Sequence, residues 1–138
     1  MTKAMRIMQT DLPWPPSVNN YWHHNRRGQV FLSVGGKKFR EICTQNVPLF
    51  HECWESEFVS LKVRAVPPDN RRRDLDNILK AILDGLEAAR VFADDSQVKI
   101  LDVQMLEPKK PGRVYVEVST IDDEIGALKT AGAEGTTV

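Results

Sequence analysis

The sequence predicts an α+β fold in one compact domain, from the length of the chain and from two segments of different periodicity. The chain has 138 residues, which suits a single domain. Apolar residues recur at helical spacing from Leu75 to Ala89, and from Phe58 to Val66 they alternate with polar residues. The first pattern is typical of an amphipathic helix and the second of a half-buried strand. Both elements in one short chain indicate the α+β class.

The first third of the chain gives weaker patterns. Met5–Leu12 is predicted to be a short first strand, and the proline-rich stretch from 13 to 16 is predicted to be extended. Asn19–Gly28 mixes polar and aromatic residues and is interpreted as an ordered loop, and Val30–Leu32 as a brief strand. Trp14, Tyr21 and Trp22 can stack on unpaired bases, but packing in a core or interface is the preferred interpretation.

A second helix is predicted from Lys37 to about Trp54, where apolar residues approximate a helical face. Pro48 lies inside this segment, so a kink or break is expected near Asn46. After the long helix, Val98–Met105 and Val114–Val118 are predicted strands.

The net charge of zero conceals an uneven distribution of charges. Residues 1–40 carry a net charge of +6, and residues 122–138 carry −3. We expect a folded domain over residues 1–121, and an acidic, mobile tail over residues 122–138. A basic start followed by the run Arg71–Arg73 is compatible with a surface that binds a polyanion.

Composition also restricts the cellular compartment. The longest apolar stretches are too short to span a bilayer, and the start lacks the apolar core of a signal peptide. Cys43 and Cys53 are the only cysteines, too few for a disulfide framework. We therefore expect a cytoplasmic protein with reduced thiols.

The segment from Arg71 to Lys80 carries the strongest indication of chemistry. Asp76 and Lys80 are four residues apart and share the polar side of the predicted helix. Asp74 stands just before the helix, so the two carboxylates can converge at its N-terminus. Asp94 and Asp95 lie in the turn before the next strand, and they can join the first pair only if that turn folds back.

Converging carboxylates would bind Mg²⁺, a hard cation that prefers oxygen ligands. Two such ions about 3.5–4 Å apart can promote in-line attack of water on a phosphodiester. A nearby lysine would neutralise developing charge, and Arg71–Arg73 would hold the phosphates of a nucleic acid.

A purely structural interpretation accounts for the same residues separately. Asp74 would be a helix N-cap, Asp76 a partner of the helix dipole, and Asp76–Lys80 a surface ion pair. Asp94-Asp95-Ser96 would be an ordinary turn. Spacing alone leaves both interpretations open.

The chain resembles the RusA family of Holliday-junction resolvases in three stretches. They are Leu12-Pro13-Trp14-Pro15-Pro16-Ser17 with Asn19-Asn20, Arg71-Arg72-Arg73-Asp74-Leu75-Asp76-Asn77 with Lys80, and Asp94-Asp95-Ser96-Gln97-Val98. The stretches occur in the order of the family and at similar separations. The block Arg-Asp-Leu-Asp-Asn followed by Asp-Asp is the specific part.

The resemblance implies a Mg²⁺-dependent homodimeric endonuclease that cuts four-way DNA junctions by paired, symmetric hydrolysis. The acids that the family requires correspond to Asp74, Asp76 and Asp95, which would also be the metal ligands, and its lysine corresponds to Lys80. The implied fold is a mixed sheet with two main helices packed on it. A dimer suits a junction because two symmetric cuts need two symmetric sites.

The predicted DNA-binding residues are cations in three parts of the chain. They are Arg71, Arg72 and Arg73, Arg26 and Arg27, and Lys37 and Lys38. Three rival functions remain at this stage: a non-catalytic nucleic-acid-binding module, an interaction protein whose arginines pair with acids of a partner, and a nuclease that acts on RNA.

Overall fold

The computed structural model describes residues 6–121, and it has a four-stranded sheet with two long helices on it. The elements are β1 (Ile7–Pro13), α1 (Val18–Tyr21), β2 (Trp22–His24), β3 (Val30–Leu32), α2 (Val34–Asn46), β4 (Val59–Val66), α3 (Asp76–Ala88), a 3₁₀ turn (Asp95–Gln97), β5 (Val98–Met105) and β6 (Arg113–Thr120). The architecture is α+β, as the sequence predicts. The predicted tail from 122 to 138 lies outside the described residues.

The main sheet is mixed, in the order β1-β6-β4-β5. β4 and β5 are parallel, with Val59 opposite Val98, whereas β6 is antiparallel to both β4 and β1. Because parallel neighbours need a crossover connection, α3 carries the chain from the end of β4 back to the start of β5. This topology decides where the acidic residues lie.

Alternate residues of β4 form the centre of the core. Val59, Leu61, Val63 and Ala65 are fully buried, as the period-two pattern predicts. The apolar face of α3 packs in the same cluster, and Gly85 allows α2 to approach it closely. A Cβ at Gly85 would lie 2.5 Å from the Cys43 sulfur, so a larger residue does not fit there.

Helix α2 ends where the sequence predicts a break, but it begins earlier than expected. The Ser33 side chain accepts a hydrogen bond from the Gly36 backbone N–H at 2.9 Å and caps the helix, which begins at Val34, three residues before Lys37. The extension to Trp54 is wrong. Trp54 instead forms an isolated bridge with Phe92, buried beside the sheet.

The segment interpreted as a loop from Asn19 to Gly28 contains part of α1, the strand β2 and the turn of a hairpin. β2 pairs with β3, and Tyr21 before it is fully buried. The Tyr21 hydroxyl donates a hydrogen bond to the Asp84 carboxylate on α3, which also accepts two hydrogen bonds from Arg40 at 2.8 and 3.0 Å. Burial raises the pKa of Tyr21 well above its usual range, and the Asp84 carboxylate adds to the shift. Packing, rather than base stacking, is confirmed for Tyr21, and Trp14 and Trp22 also pack against the core.

Tyr21→Phe is expected to destabilise the protein by about 1.5–3 kcal/mol, because a hydrogen bond to a charged group is lost in a partly buried setting. Denaturant unfolding of the two proteins measures the change. An unfolding midpoint equal to that of the original protein would show that the hydroxyl does not anchor the hairpin.

Two further expectations concern the thiols and the membrane. Cys43 and Cys53 are both free, and burial raises the pKa of the Cys43 thiol to about 12. Among residues 6–121, no helix is long and apolar enough to cross a bilayer.

Candidate active site

Asp74 and Asp76 lie exposed at the start of α3, after the loop that follows β4. The prediction that Asp74 caps this helix is wrong. The N-cap position is Leu75, its backbone is already helical, and no side chain there makes a capping hydrogen bond. The carboxylate of Asp74 is therefore not used to satisfy the helix end.

Asp74, Asp76 and Lys80 have no side-chain hydrogen bond or ion pair with any of residues 6–121. The surface ion pair between Asp76 and Lys80 in the structural interpretation is thus not formed. Asp76 does lie in the first turn of α3, where the helix dipole favours a negative charge. Two carboxylates and one ammonium group are left available at this end of the helix.

Asp94 has a structural task in the 3₁₀ turn. Its carboxylate accepts a hydrogen bond from the Ser96 backbone N–H at 2.8 Å and completes a capping box with Gln97. These hydrogen bonds hold the pKa of Asp94 below its usual range. The Gln97 side chain is buried and bonds the Trp54 and Glu57 backbones, so the turn is fixed to the loop before β4.

Asp95 lies beside the end of α3 rather than beside its start. Its backbone N–H donates to the Glu87 carboxylate at 2.9 Å. The carboxylates of Glu87, Asp94 and Asp95 lie within 4.8 Å of one another. In the part of the chain from 6 to 121, this is the only group of three or more acidic, histidine or cysteine ligands at such distances. Sequence reasoning missed Glu87, because its spacing to Asp95 has meaning only once the turn is folded.

The two acidic groups lie at opposite ends of the fold within one chain. Asp76 and Glu87 are separated by about 16 Å along the axis of α3. The sheet topology leads to the same conclusion. Asp74 follows the end of β4, whereas Asp95 precedes the start of β5, and the starts of these two parallel strands lie side by side. Convergence of Asp95 with Asp74 and Asp76 in one chain is not found, because a parallel crossover returns the chain to the other edge of the sheet.

Arg71, Arg72 and Arg73 differ in what they contact. Arg73 is half-buried, pairs with Asp69 at 2.8 Å, and lies 5.6 Å from the centre of the Trp14 ring. Arg71 is exposed, and its Nε lies 3.7 Å from the Asp69 carboxylate, farther than Arg73 does. These contacts hold the pKa of Asp69 below its usual range, chiefly through the hydrogen bond from Arg73. Arg72 is exposed and has no ion pair within residues 6–121.

The remaining predicted DNA-binding cations lie in the β2–β3 hairpin and in α2. Arg26 and Arg27 lie in the exposed turn between β2 and β3, and Lys37 and Lys38 lie exposed in the first two turns of α2. None of the four forms an ion pair within the described ranges. They are therefore available to an anionic partner.

A family model described as Endodeoxyribonuclease RusA matches residues 13–119. The chain belongs to the RusA family of endodeoxyribonucleases. The "Crossover junction endodeoxyribonuclease RusA" of Shigella sonnei (strain Ss046) is 34% identical over 121 residues, which is 87% of this chain and 100% of that relative. The protein of the same name from Enterobacteria phage HK97 is 38% identical over 122 residues, 86% of this chain and 98% of the relative. The family resemblance found in the sequence is confirmed.

This RusA-family chain thus has two places where carboxylates could hold a divalent cation. The donors at both are carboxylate oxygens, which fit the hard cations Mg²⁺ and Ca²⁺. Asp74 and Asp76 have no protein partner within residues 6–121, and cations surround them in the chain. In the other group, Asp94 is already engaged as a cap. Either group needs a further ligand or waters to complete a coordination shell.

Proposed function

We propose that the protein is a Mg²⁺-dependent endonuclease that resolves four-way DNA junctions. The observation that supports this most is the set of unpartnered charged side chains Asp74, Asp76 and Lys80 at the start of α3, next to Arg71–Arg73. The bacterial and phage relatives are named as endodeoxyribonucleases of crossover junctions. In such hosts the DNA lies in the cytoplasm, where we place the protein.

The absence of protein partners for these side chains argues against the structural interpretation. A cap, a dipole partner and an ion pair would each lower the free energy of the folded state by a contact. Of these three, only the dipole contribution of Asp76 is available here. Exposed carboxylates beside exposed cations are better explained by a ligand that brings both a divalent ion and phosphates.

Asp74, Asp76 and Asp95 would hold the metal ion. When bound, Mg²⁺ would lower the pKa of a water and stabilise charge on the phosphate that is cleaved. Lys80, one helical turn after Asp76, would neutralise charge that develops on the phosphate oxygens. The phosphates of the junction arms would be held by exposed cations, namely Arg71, Arg72, Arg26, Arg27, Lys37 and Lys38. Arg73 would fix the loop through its contacts with Asp69 and Trp14.

We further propose a homodimer in which Asp95 of a second copy completes each site. Within one chain Asp95 lies at the other end of α3 from Asp76, so one chain cannot bring the three acids to one ion. In a two-fold dimer, the end of α3 in one copy can lie beside the start of α3 in the other copy. The two-fold axis then repeats this arrangement, so the dimer has two such sites. Two such sites would match the symmetry of a four-way junction.

A panel of substrates tests the proposed function. The full chain is incubated with a synthetic four-way junction, a linear duplex and an RNA hairpin, each with Mg²⁺ and with EDTA. The proposal expects metal-dependent nicks in the junction and little cleavage of the others. Salt-sensitive binding without any metal-dependent product would indicate a binding module, preferential cleavage of RNA an RNA nuclease, and no affinity for nucleic acid an interaction protein.

Lys80→Ala is expected to lower the cleavage rate of bound junction by about a hundredfold, as for loss of one cationic or hydrogen-bonding group at the reacting phosphate. Junction affinity measured in EDTA should change little, because many other cations hold the backbone. Lys62→Ala, which removes an exposed lysine paired with Glu117 on β6, serves as the control. An equal loss of rate and affinity in Lys80→Ala would make this residue a phosphate anchor only.

A further inference from the structure

The turn between β5 and β6 presents two lysines that are not among the predicted DNA-binding residues. Lys109 and Lys110 are exposed there, and neither makes an ion pair with another of the described residues. Arg113, the first residue of β6, is also exposed and reaches Asp11 only at 4.0 Å. Three cations with little or no internal neutralisation thus lie within five positions of the chain.

Backbone contacts hold this turn in place. The Leu106 backbone N–H donates to the Ala65 carbonyl at 2.7 Å, and the Lys109 N–H donates to the Pro67 carbonyl at 2.8 Å. Gly112 has a positive φ of 89°, and a Cβ there would lie 3.0 Å from Pro68 and 3.1 Å from Trp14. The turn is therefore packed directly against the loop that leads from β4 towards Asp74.

The three cations line a shallow cleft of about 210 Å³. Its other lining residues are Val66, Pro111, Gly112 and Tyr115, so no described residue that lines it is acidic. The volume is large enough for a phosphate group with water around it. Tyr115 also lines the cleft, and a tyrosine hydroxyl is a neutral group that can donate a hydrogen bond to an anion.

The cleft and the Arg71–Arg73 loop share one support. Trp14 lies so close to Gly112 of the turn that a Cβ there would be 3.1 Å from the Trp14 Cβ, and the Arg73 guanidinium lies 5.6 Å from the centre of the Trp14 ring. The Lys109 backbone N–H donates a hydrogen bond to the Pro67 carbonyl, and Arg73 forms an ion pair with Asp69. These contacts fix the β5–β6 turn and the Arg71–Arg73 loop relative to each other. Both lie at the edge of the sheet where β4 ends, which is the edge of Asp74 and Asp76.

We propose that Lys109, Lys110 and Arg113 form a phosphate-binding cleft for the backbone of a DNA duplex arm, as an extension of the Arg71–Arg73 surface. The inference rests on the proposed function, because it assumes that the polyanion is junction DNA. Repeated phosphates suit this surface, since separate cations on two fixed segments can contact successive positions of one backbone. These contacts position the substrate and carry no sequence preference.

Salt-dependent binding of a fluorescently labelled four-way junction in EDTA tests the cleft without any cleavage. The double variant Lys109→Gln/Lys110→Gln is expected to bind about tenfold more weakly near 0.1 M salt. The plot of the logarithm of the association constant against the logarithm of the salt concentration has a negative slope, and its magnitude should decrease by about 2. Lys62→Gln, an exposed lysine outside the cleft, should keep the affinity and slope of the original protein. Lys109→Arg/Lys110→Arg should also bind normally, because charge and reach remain.

Other outcomes separate this inference from the proposed function. If the original protein binds the junction and the double glutamine variant binds it with the same affinity and slope, the cleft is overturned and the function stands. A weaker affinity with an unchanged slope would also overturn it, since the loss would not be electrostatic. If the original protein binds no junction DNA, both fail. A loss confined to an RNA hairpin would assign the cleft to RNA and contradict the proposal.

Discussion

Asp76→Asn is expected to abolish Mg²⁺-dependent cleavage of a four-way junction, with a rate at least about a thousandfold lower, while junction binding survives. The reason is chemical: the substitution removes a carboxylate that, in the proposed site, would hold the metal ion and so stabilise the transition state by several kcal/mol. It also removes a negative charge that repels phosphates, so affinity in EDTA should be equal or slightly greater. Asp76 has no side-chain hydrogen bond or ion pair within residues 6–121, so the fold loses only the favourable interaction of this charge with the helix dipole.

The paired measurements are single-turnover cleavage with Mg²⁺ and binding in EDTA. Glu41→Gln, which neutralises an exposed carboxylate on α2, is the control and should cut at the original rate. An Asp76→Asn protein that cuts as fast as the original would remove this residue from the metal site. A protein that neither cuts nor binds would give Asp76 a role in DNA binding instead.

Mixing two inactive variants is expected to restore cleavage if the acids of one site come from two copies. In a dimer of Asp76→Asn with Asp95→Asn, one site carries both substitutions and the other carries neither. That second site has its full set of acids and should nick one strand of the junction. Each variant alone should remain inactive, because both of its sites lack a ligand.

The matched control mixes Asp74→Asn with Asp76→Asn, two acids from the same end of α3. Every site in that mixed dimer lacks one acid, so it should stay inactive. Co-expression with two different tags allows the mixed dimers to be isolated for the assay. If the Asp76→Asn and Asp95→Asn mixture is also inactive although the mixed dimer forms, the shared site is wrong.

The elements that the sequence predicts well are those with strong local patterns. α3 begins and ends within one residue of the predicted limits, and β4 within one residue at its start. The long series of apolar residues can be buried in only one way, since one face of each element must meet the core. α1 and β2 were missed because they are short and polar, and because Tyr21 anchors them to Asp84, sixty-three positions away.

The candidate site was predictable as a local segment but not as an assembly. Arg71 to Lys80 can be found from composition and spacing, and the family match supports the interpretation. The position of Asp95 depends on whether β5 runs parallel or antiparallel to β4, which no local pattern determines. The same holds for Lys109 and Lys110, which reach the Arg71–Arg73 loop only because β6 inserts between β1 and β4.

The most direct test of the shared metal site is anomalous diffraction from crystals of the full chain soaked with Mn²⁺, which takes oxygen ligands as Mg²⁺ does. The account predicts a Mn²⁺ peak within coordinating distance of Asp74 and Asp76 of one copy and Asp95 of a second. A peak held only by Glu87, Asp94 and Asp95 of a single copy, with none near Asp76, would contradict it.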